Sequence, residues 1–305
     1  MDVVIIGEIL WDQFANDNFI GGAPFNVAVN LKRFGDDIAF ISGVGNEELG
    51  KSALAQIETH DLDTRYITIT DQAPTGIVNI TLRDGQPDYI IRRPAAYDMV
   101  KLSDEDIKCI QRGNPKWIYF GTLAQSSETV RKTTEKIIAS NPQAKVFYDV
   151  NLRKGNRDPA LIRNLLAQAD IVKLNEDELQ ELVSFLDMPE ASLKEKCRRF
   201  SCQCSLEGIL VTLGANGCVA YDRGTEKYLT ASGLKIDLED AVGAGDAFSA
   251  AFLHSCISGD EWIDAINLGN RLGSLIASRK SALPVWTIEE LSTPMTTRTA
   301  QTGRR

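Results

Sequence analysis

Short apolar runs of four to six residues alternate with segments of helical period along most of this chain, and that alternation constrains the fold most. Val3–Ile6, Ile38–Ser42, Trp117–Gly121, Val146–Val150, Asp170–Leu174, Gly208–Leu213 and Cys218–Tyr221 are apolar nearly throughout rather than at every second position. Continuous apolarity marks strands buried on both faces, as in a parallel sheet. Helices are predicted between and after them, at Pro24–Phe34, Glu48–Thr59, Glu128–Ala139, Pro159–Ala169, Glu176–Phe185, Leu193–Phe200, Ala244–Ile257 and Glu261–Arg279. The first has Pro24 in its opening turn, Val27, Ala28, Leu31 and Phe34 on one stripe, and Gly35 as its stop. The pattern predicts an α/β protein with a doubly wound core.

One stretch breaks the alternation. Tyr66–Thr70, Ile77–Leu82 and Asp88–Arg92 follow one another with no helix between, separated by Gln72-Ala73-Pro74 and by Asp84-Gly85-Gln86-Pro87. Asn79, Thr81 and Arg83 alternate with apolar neighbours, so an antiparallel meander forming a small sheet or lid is predicted. Residues 292–305 are Thr-rich with almost nothing to bury, and are expected to form a flexible tail.

Charge and cysteine content narrow the function classes. With 33 Lys+Arg against 42 Asp+Glu the net charge is −9, which argues against nucleic acid or a membrane surface as partner. No apolar run approaches the roughly 18 residues that span a bilayer, and Met1-Asp2-Val3-Val4 lacks the basic start of a signal peptide. Six cysteines in 305 residues, with no zinc spacing, predict neither a disulfide framework nor a metal site, and a cytoplasmic location is expected.

Gly45-Asn46-Glu47-Glu48-Leu49-Gly50-Lys51-Ser52 matches the phosphate-loop pattern G-x-x-x-x-G-K-[ST] letter for letter, between a strand and a helix. Its chemistry is wrong for the part: such a loop points backbone N–H groups at oxyanions, and Glu47 and Glu48 would set two carboxylates among them. A turn leading into an acidic helix N-terminus is the better reading.

Asp240-Ala241-Val242-Gly243-Ala244-Gly245-Asp246-Ala247-Phe248 carries more. Small residues at Gly243, Ala244 and Gly245 lead straight into an apolar helix, exposing consecutive N–H groups at its positive end as an anion hole. Asp246 serves there either as a helix cap or as a base that deprotonates an attacking hydroxyl. In Gly21-Gly22-Ala23-Pro24-Phe25-Asn26 the glycines allow close approach of a ligand, Asn26 offers donor and acceptor, and Asp12 could accept two bonds from a polyol. Both clusters lie near predicted strand ends, where open α/β sheets bind ligands.

These residues resemble the PfkB, or ribokinase-like, carbohydrate kinases over roughly residues 2 to 290. Gly21–Asn26 through Gly35 is similar to the family's N-terminal signature, Gly43–Gly50 to the segment that follows, and Asp240–Phe248 to the C-terminal signature D-T-x-G-A-G-D-x-F. The resemblance implies a Rossmann-like (ribokinase-like) core over residues 1–11, 21–64 and 99–291, with a β-sheet lid over 12–20 and 65–98. It also implies ATP, Mg²⁺ and phosphorylation of a primary alcohol. Asp246 would be the catalytic base, with Gly243, Ala244 and Gly245 as the anion hole; Asp12, Gly22 and Asn26 would hold sugar hydroxyls. Asn175 and Glu178 match the N-x-x-E motif, the Asn near the phosphates and the Glu organising the metal through water; Thr212, Gly214, Gly217 and Asn270 would bind the nucleotide.

Tyr89–Asp98 resembles a fructokinase lid segment and Tyr148–Arg153 its D-P-N-L-R strand end, so Arg92, Asn151 and Arg153 become substrate-binding candidates. Three positions depart from the family pattern: Ala241 stands for threonine, Ser281 for glycine and Asn46 for an acid. A K⁺ site near Asp240, Val242 and 276–282, and a homodimer through the lid, are further implications. Fructose leads as acceptor, with 2-keto-3-deoxygluconate, ribose or a nucleoside as alternatives. From other classes come a catalytically silent sugar-binding regulator and a dinucleotide oxidoreductase, though Gly7-Glu8-Ile9 stands where the latter needs G-x-G-x-x-G.

Overall fold

The structure, a computed structural model, describes residues 1–13, 18–83, 86–153 and 157–293. The predicted tail lies outside the described residues from 294 onward, as do 14–17 and 84–85 of the predicted lid. The chain forms two compact units, one ending at Val146 and one beginning at Phe147.

The first unit runs β1 (Val3–Ile6), β2 (Leu10–Gln13), β3 (Asn18–Gly21), α1 (Ala23–Phe34), β4 (Ile38–Gly45), α2 (Glu48–Thr59), β5 (Ile67–Thr70), β6 (Gly76–Arg83), β7 (Gln86–Ile91), α3 (Asp104–Gly113), β8 (Trp117–Gly121), α4 (Thr122–Gln125) and α5 (Glu128–Ser140). Its larger sheet has the order β8-β1-β4-β5, and β1 pairs in parallel with both β4 and β8. All four residues of β1 are fully buried, as continuous apolarity predicts. Because β4 and β8 lie on opposite sides of β1, the crossovers diverge there and leave a crevice beyond its C-terminal end. The α1 helix starts beside that crevice, with Pro24 in its first turn, and stops at Gly35, whose left-handed φ of 94° turns its N–H back to Leu31 and Lys32.

The second sheet of this unit has the order β3-β2-β6-β7. The predicted meander is corrected at its first strand, while β6 and β7 pair antiparallel as predicted. Ile67–Thr70 does not join it: β5 lies parallel to β4, with Ser42 opposite Ile67. The small sheet instead recruits β2 and β3, and β2 lies parallel to β6. Adjacent strands need not pair; the α2 helix carries the chain from β4 to β5, which fits a parallel crossover. The α3 helix, unforeseen, begins on a capping box in which Ser103 and Asp106 satisfy each other's amides.

The second unit runs from β9 (Lys145–Asp149), whose first two residues belong to the first, through α6 (Pro159–Leu166), β10 (Ile171–Asn175), α7 (Glu176–Phe185), α8 (Leu193–Gln203), β11 (Gly208–Thr212), β12 (Gly217–Asp222) and β13 (Lys227–Ser232) to α9 (Ala244–Ser258), α10 (Trp262–Ala277) and α11 (Ile288–Ser292). β9, β10 and β11 are parallel; β12 and β13 add antiparallel strands beyond β11. Phe252 is fully buried in its core, with ring centroids 5.9 Å from Phe147 and 5.4 Å from Trp262, the latter edge-on. Gly208 makes room for that indole, since a Cβ there would fall 2.2 Å from Trp262 Cη2.

Candidate active site

In the first unit the sugar-binding candidates gather where β2, β3 and α1 meet. Gly22 has φ +111°, and a Cβ would come 2.6 Å from the Glu8 carbonyl, so only glycine fits. Asp12 is half-buried, with Oδ2 3.1 Å from where a Cβ on Gly21 would lie. Asn26 is buried in the first turn of α1, its N–H on the Gly22 carbonyl. Arg92 follows β7 on the same small sheet; with the Asn79 amide turned to accept, Asn79 Oδ1 takes bonds from Arg92 Nε at 2.7 Å and Nη2 at 3.2 Å. Its neighbour Arg93 is committed elsewhere, to the Asp98 carboxylate and the Leu123 carbonyl.

The phosphate-loop match fails structurally. Glu47 folds its carboxylate into the loop, where Oε1 accepts from Thr75 N at 2.8 Å, and Gly45 N donates to Thr75 Oγ1 at 3.0 Å. Burial pushes the Glu47 carboxyl up, but the Thr75 bonds outweigh it and hold it below the ordinary range. A loop filled by its own carboxylate has no room for a phosphate.

In the second unit Gly243 caps α9 at φ +81°, and a Cβ would lie 2.4 Å from the Ala282 carbonyl. The first intrahelical bond runs from Ala247 N to Gly243 O at 2.9 Å, so the amides before it precede the helical ladder. Ala244 N donates to Ala241 O at 3.2 Å in a turn. Asp246, half-buried, is the acidic residue of that first turn. Ser281, where the family has glycine, keeps a left-handed φ of +83°.

Asn175 caps α7, accepting from Glu178 N at 2.9 Å, while Glu178 Oε2 accepts from Asn175 N at 2.8 Å and Oε1 from Leu152 N at 2.7 Å. Burial pushes the Glu178 carboxyl above its ordinary value; these amides and Lys173 pull it partly back. Such a carboxylate keeps lone pairs for a water of a metal shell. Asn151 follows β9 at φ +38°, and Arg153 is exposed beside it.

A cavity of ≈ 340 Å³ brings the nucleotide candidates together: Asn175, Thr212, Gly214, Gly217 and Asn270 line it with Ala244 and Gly245. Leu234, Ile236 and Phe248 give it an apolar wall, suited to a flat heterocycle, beside the amides suited to an anion. Asn270 Nδ2 is spent on the Ser232 carbonyl at 2.7 Å, fixing α10 to β13. The partners of Asp149 were not foreseen. Asp149, fully buried, accepts from Lys173 Nζ at 3.1 Å on both oxygens and from Ser249 Oγ at 2.8 Å. The partners lie 24 and 100 residues away, so no local motif reveals them.

Among the described residues no group of three His, Cys, Asp or Glu side chains is placed to hold a metal, and no helix is long and apolar enough to cross a membrane.

The chain matches the model of the pfkB family carbohydrate kinases over residues 7–288. It is 29% identical over 286 residues to an ATP-dependent 6-phosphofructokinase of Thermoanaerobacterium thermosaccharolyticum, covering 88% of this chain and 85% of that one. It is 30% identical over 280 residues to fructokinase-1 of Zea mays, covering 87% and 84%. Among solved structures it is similar to a fructokinase with bound ATP from Xylella fastidiosa, with a TM-score of 0.81, 21% identity and coverage of 95% and 97%.

Proposed function

The chain belongs to the pfkB family of carbohydrate kinases, and from that premise we propose that it transfers the γ-phosphate of ATP to a primary hydroxyl of a small sugar, fructose foremost. The observation that carries this reading is the first turn of α9: a glycine-capped, amide-rich helix start that bears Asp246 and opens on the nucleotide cavity.

Asp246 takes the proton of the acceptor hydroxyl as its oxygen attacks the γ-phosphorus in line and the bond from that phosphorus to the β,γ-bridging oxygen breaks, releasing ADP. Amides of Gly243, Gly245 and Asp246 stabilise the charge that develops on the transferred group. Asn175, Thr212, Gly214, Gly217 and Asn270 hold the nucleotide. Mg²⁺ bound with ATP supplies neutralisation of phosphate charge; Glu178 would hold it through water, in keeping with an ion that gives up its waters reluctantly. Asp12, Gly22, Asn26 and Arg92 of the first unit are the sugar-binding residues of this reading, and Asn151 and Arg153 of the second are further substrate-binding candidates. The four-stranded sheet β3-β2-β6-β7 is the lid of this reading, and by excluding water it limits wasteful hydrolysis. Phe19 on β3 is 48% exposed and Ile90 on β7 53% exposed, which supports a homodimer through that sheet. K⁺ activation belongs to the reading as well.

A phosphorylated acceptor is the second reading, favoured by the likeness to a 6-phosphofructokinase. A coupled assay of ADP release over fructose, fructose 6-phosphate, ribose, 2-keto-3-deoxygluconate and adenosine, with and without K⁺, decides between them. The highest kcat/KM on fructose is expected; a clear preference for any other acceptor overturns the substrate assignment, and turnover on none overturns the reading.

A further inference from the structure

Lys173 is the one buried lysine or arginine among the described residues, with its side chain 8% exposed. A buried ion pair is seldom kept for stability, because well-packed apolar replacements are often neutral or stabilising. This pair is also oriented. The ammonium sits against the first turn of α9, 3.1 Å from where a Cβ on Gly245 would lie. The Asp149 carboxylate sits one turn further along, 2.8 Å from Ser249 Oγ. Ser249 Oγ in turn lies 3.1 Å from the Gly245 carbonyl, so the hydroxyl joins both turns. The positive end of the pair thus faces the start of the helix.

We infer that Lys173 is a positioning residue for the phosphate end of the nucleotide: held by Asp149 in the space that Gly245 leaves, its ammonium backs the first turn of α9 and adds a buried positive charge to the amides of Gly243, Gly245 and Asp246. The inference rests on the kinase reading above. Three carboxylates, of Asp149 on β9, Glu178 on α7 and Asp246 on α9, face this one ammonium. Burial pulls the ammonium down, yet their combined field outweighs it and holds the group above the ordinary lysine value. Without that charge the carboxylates would oppose the modest positive end of the helix, and a polyphosphate would meet a repulsive turn.

The test compares AMP with the ATP analogue AMP-PNP by titration calorimetry, with Mg²⁺ present throughout. Lys173→Met leaves Asp149 buried without its counter-charge and is prone to misfold. The double variant Lys173→Met/Asp149→Asn therefore accompanies it, since it removes both charges and keeps an acceptor for Ser249. In the double variant AMP affinity should stay within about twofold of wild type while AMP-PNP affinity falls at least tenfold, with kcat falling more than the sugar KM rises. Equal losses for AMP and AMP-PNP would mark a merely structural pair and overturn the inference, as would wild-type discrimination retained. A wild type that binds AMP-PNP no better than AMP overturns the kinase reading itself, and the inference with it.

Discussion

Gly243 and Ser281 both hold left-handed backbone, at φ +81° and +83°, yet only one is a glycine. At Gly243 the reason is contact as well as conformation, because the Ala282 carbonyl fills the place of a side chain. At Ser281 the backbone tolerates a Cβ that the family pattern omits, and a non-glycine there is strained. Ser281→Gly is expected to stabilise the fold by about 0.5–1 kcal/mol, since relief of that strain exceeds the added chain entropy of glycine. Chemical denaturation checks it, and a lower midpoint would contradict it. The same comparison shows what a single residue reveals in advance. The glycine run before Asp246 was legible because its chemistry is local. The partners of Asp149 were not, because they come from a lysine on the next strand and a serine on α9.

Helices and strands show the same division. The helices α2 and α7 lie where period and acidic first turns put them, at Glu48–Thr59 and Glu176–Phe185. β13 escaped because its pattern is polar and only Ala231 is buried, so nothing in Lys227–Ser232 announces a core strand. β5 was legible as a strand but not as a partner of β4, since pairing is decided by a crossover rather than by sequence proximity. At this scale Asn175→Ala is expected to lose about 1 kcal/mol of stability with the α7 cap, and to weaken nucleotide binding besides. A thermal melt with and without ADP separates the two effects; an unchanged melting temperature in the absence of ADP would contradict the capping role. The phosphate-loop match gives a sharper test. Lys51 is exposed at the start of α2, next to a loop already filled by Glu47. Lys51→Ala should change kcat/KM for ATP by less than about twofold, whereas a lysine reaching the β- and γ-phosphates would cost orders of magnitude.

For the whole molecule, a net charge of −9 is poor company for a polyphosphate. In the proposed reading the answer is local. Backbone amides at the start of α9 and the Lys173 ammonium supply positive potential that a sum of side-chain charges hides. Asp246, in that turn, is proposed as the base for phosphoryl transfer to a sugar. Fructose-dependent ADP formation by wild type and by Asp246→Asn, each matched for melting temperature, tests it most directly. A loss of turnover of about 10²–10⁴-fold is expected, with the melting temperature and nucleotide affinity little changed. An Asp246→Asn protein that keeps more than about a tenth of wild-type turnover would contradict it.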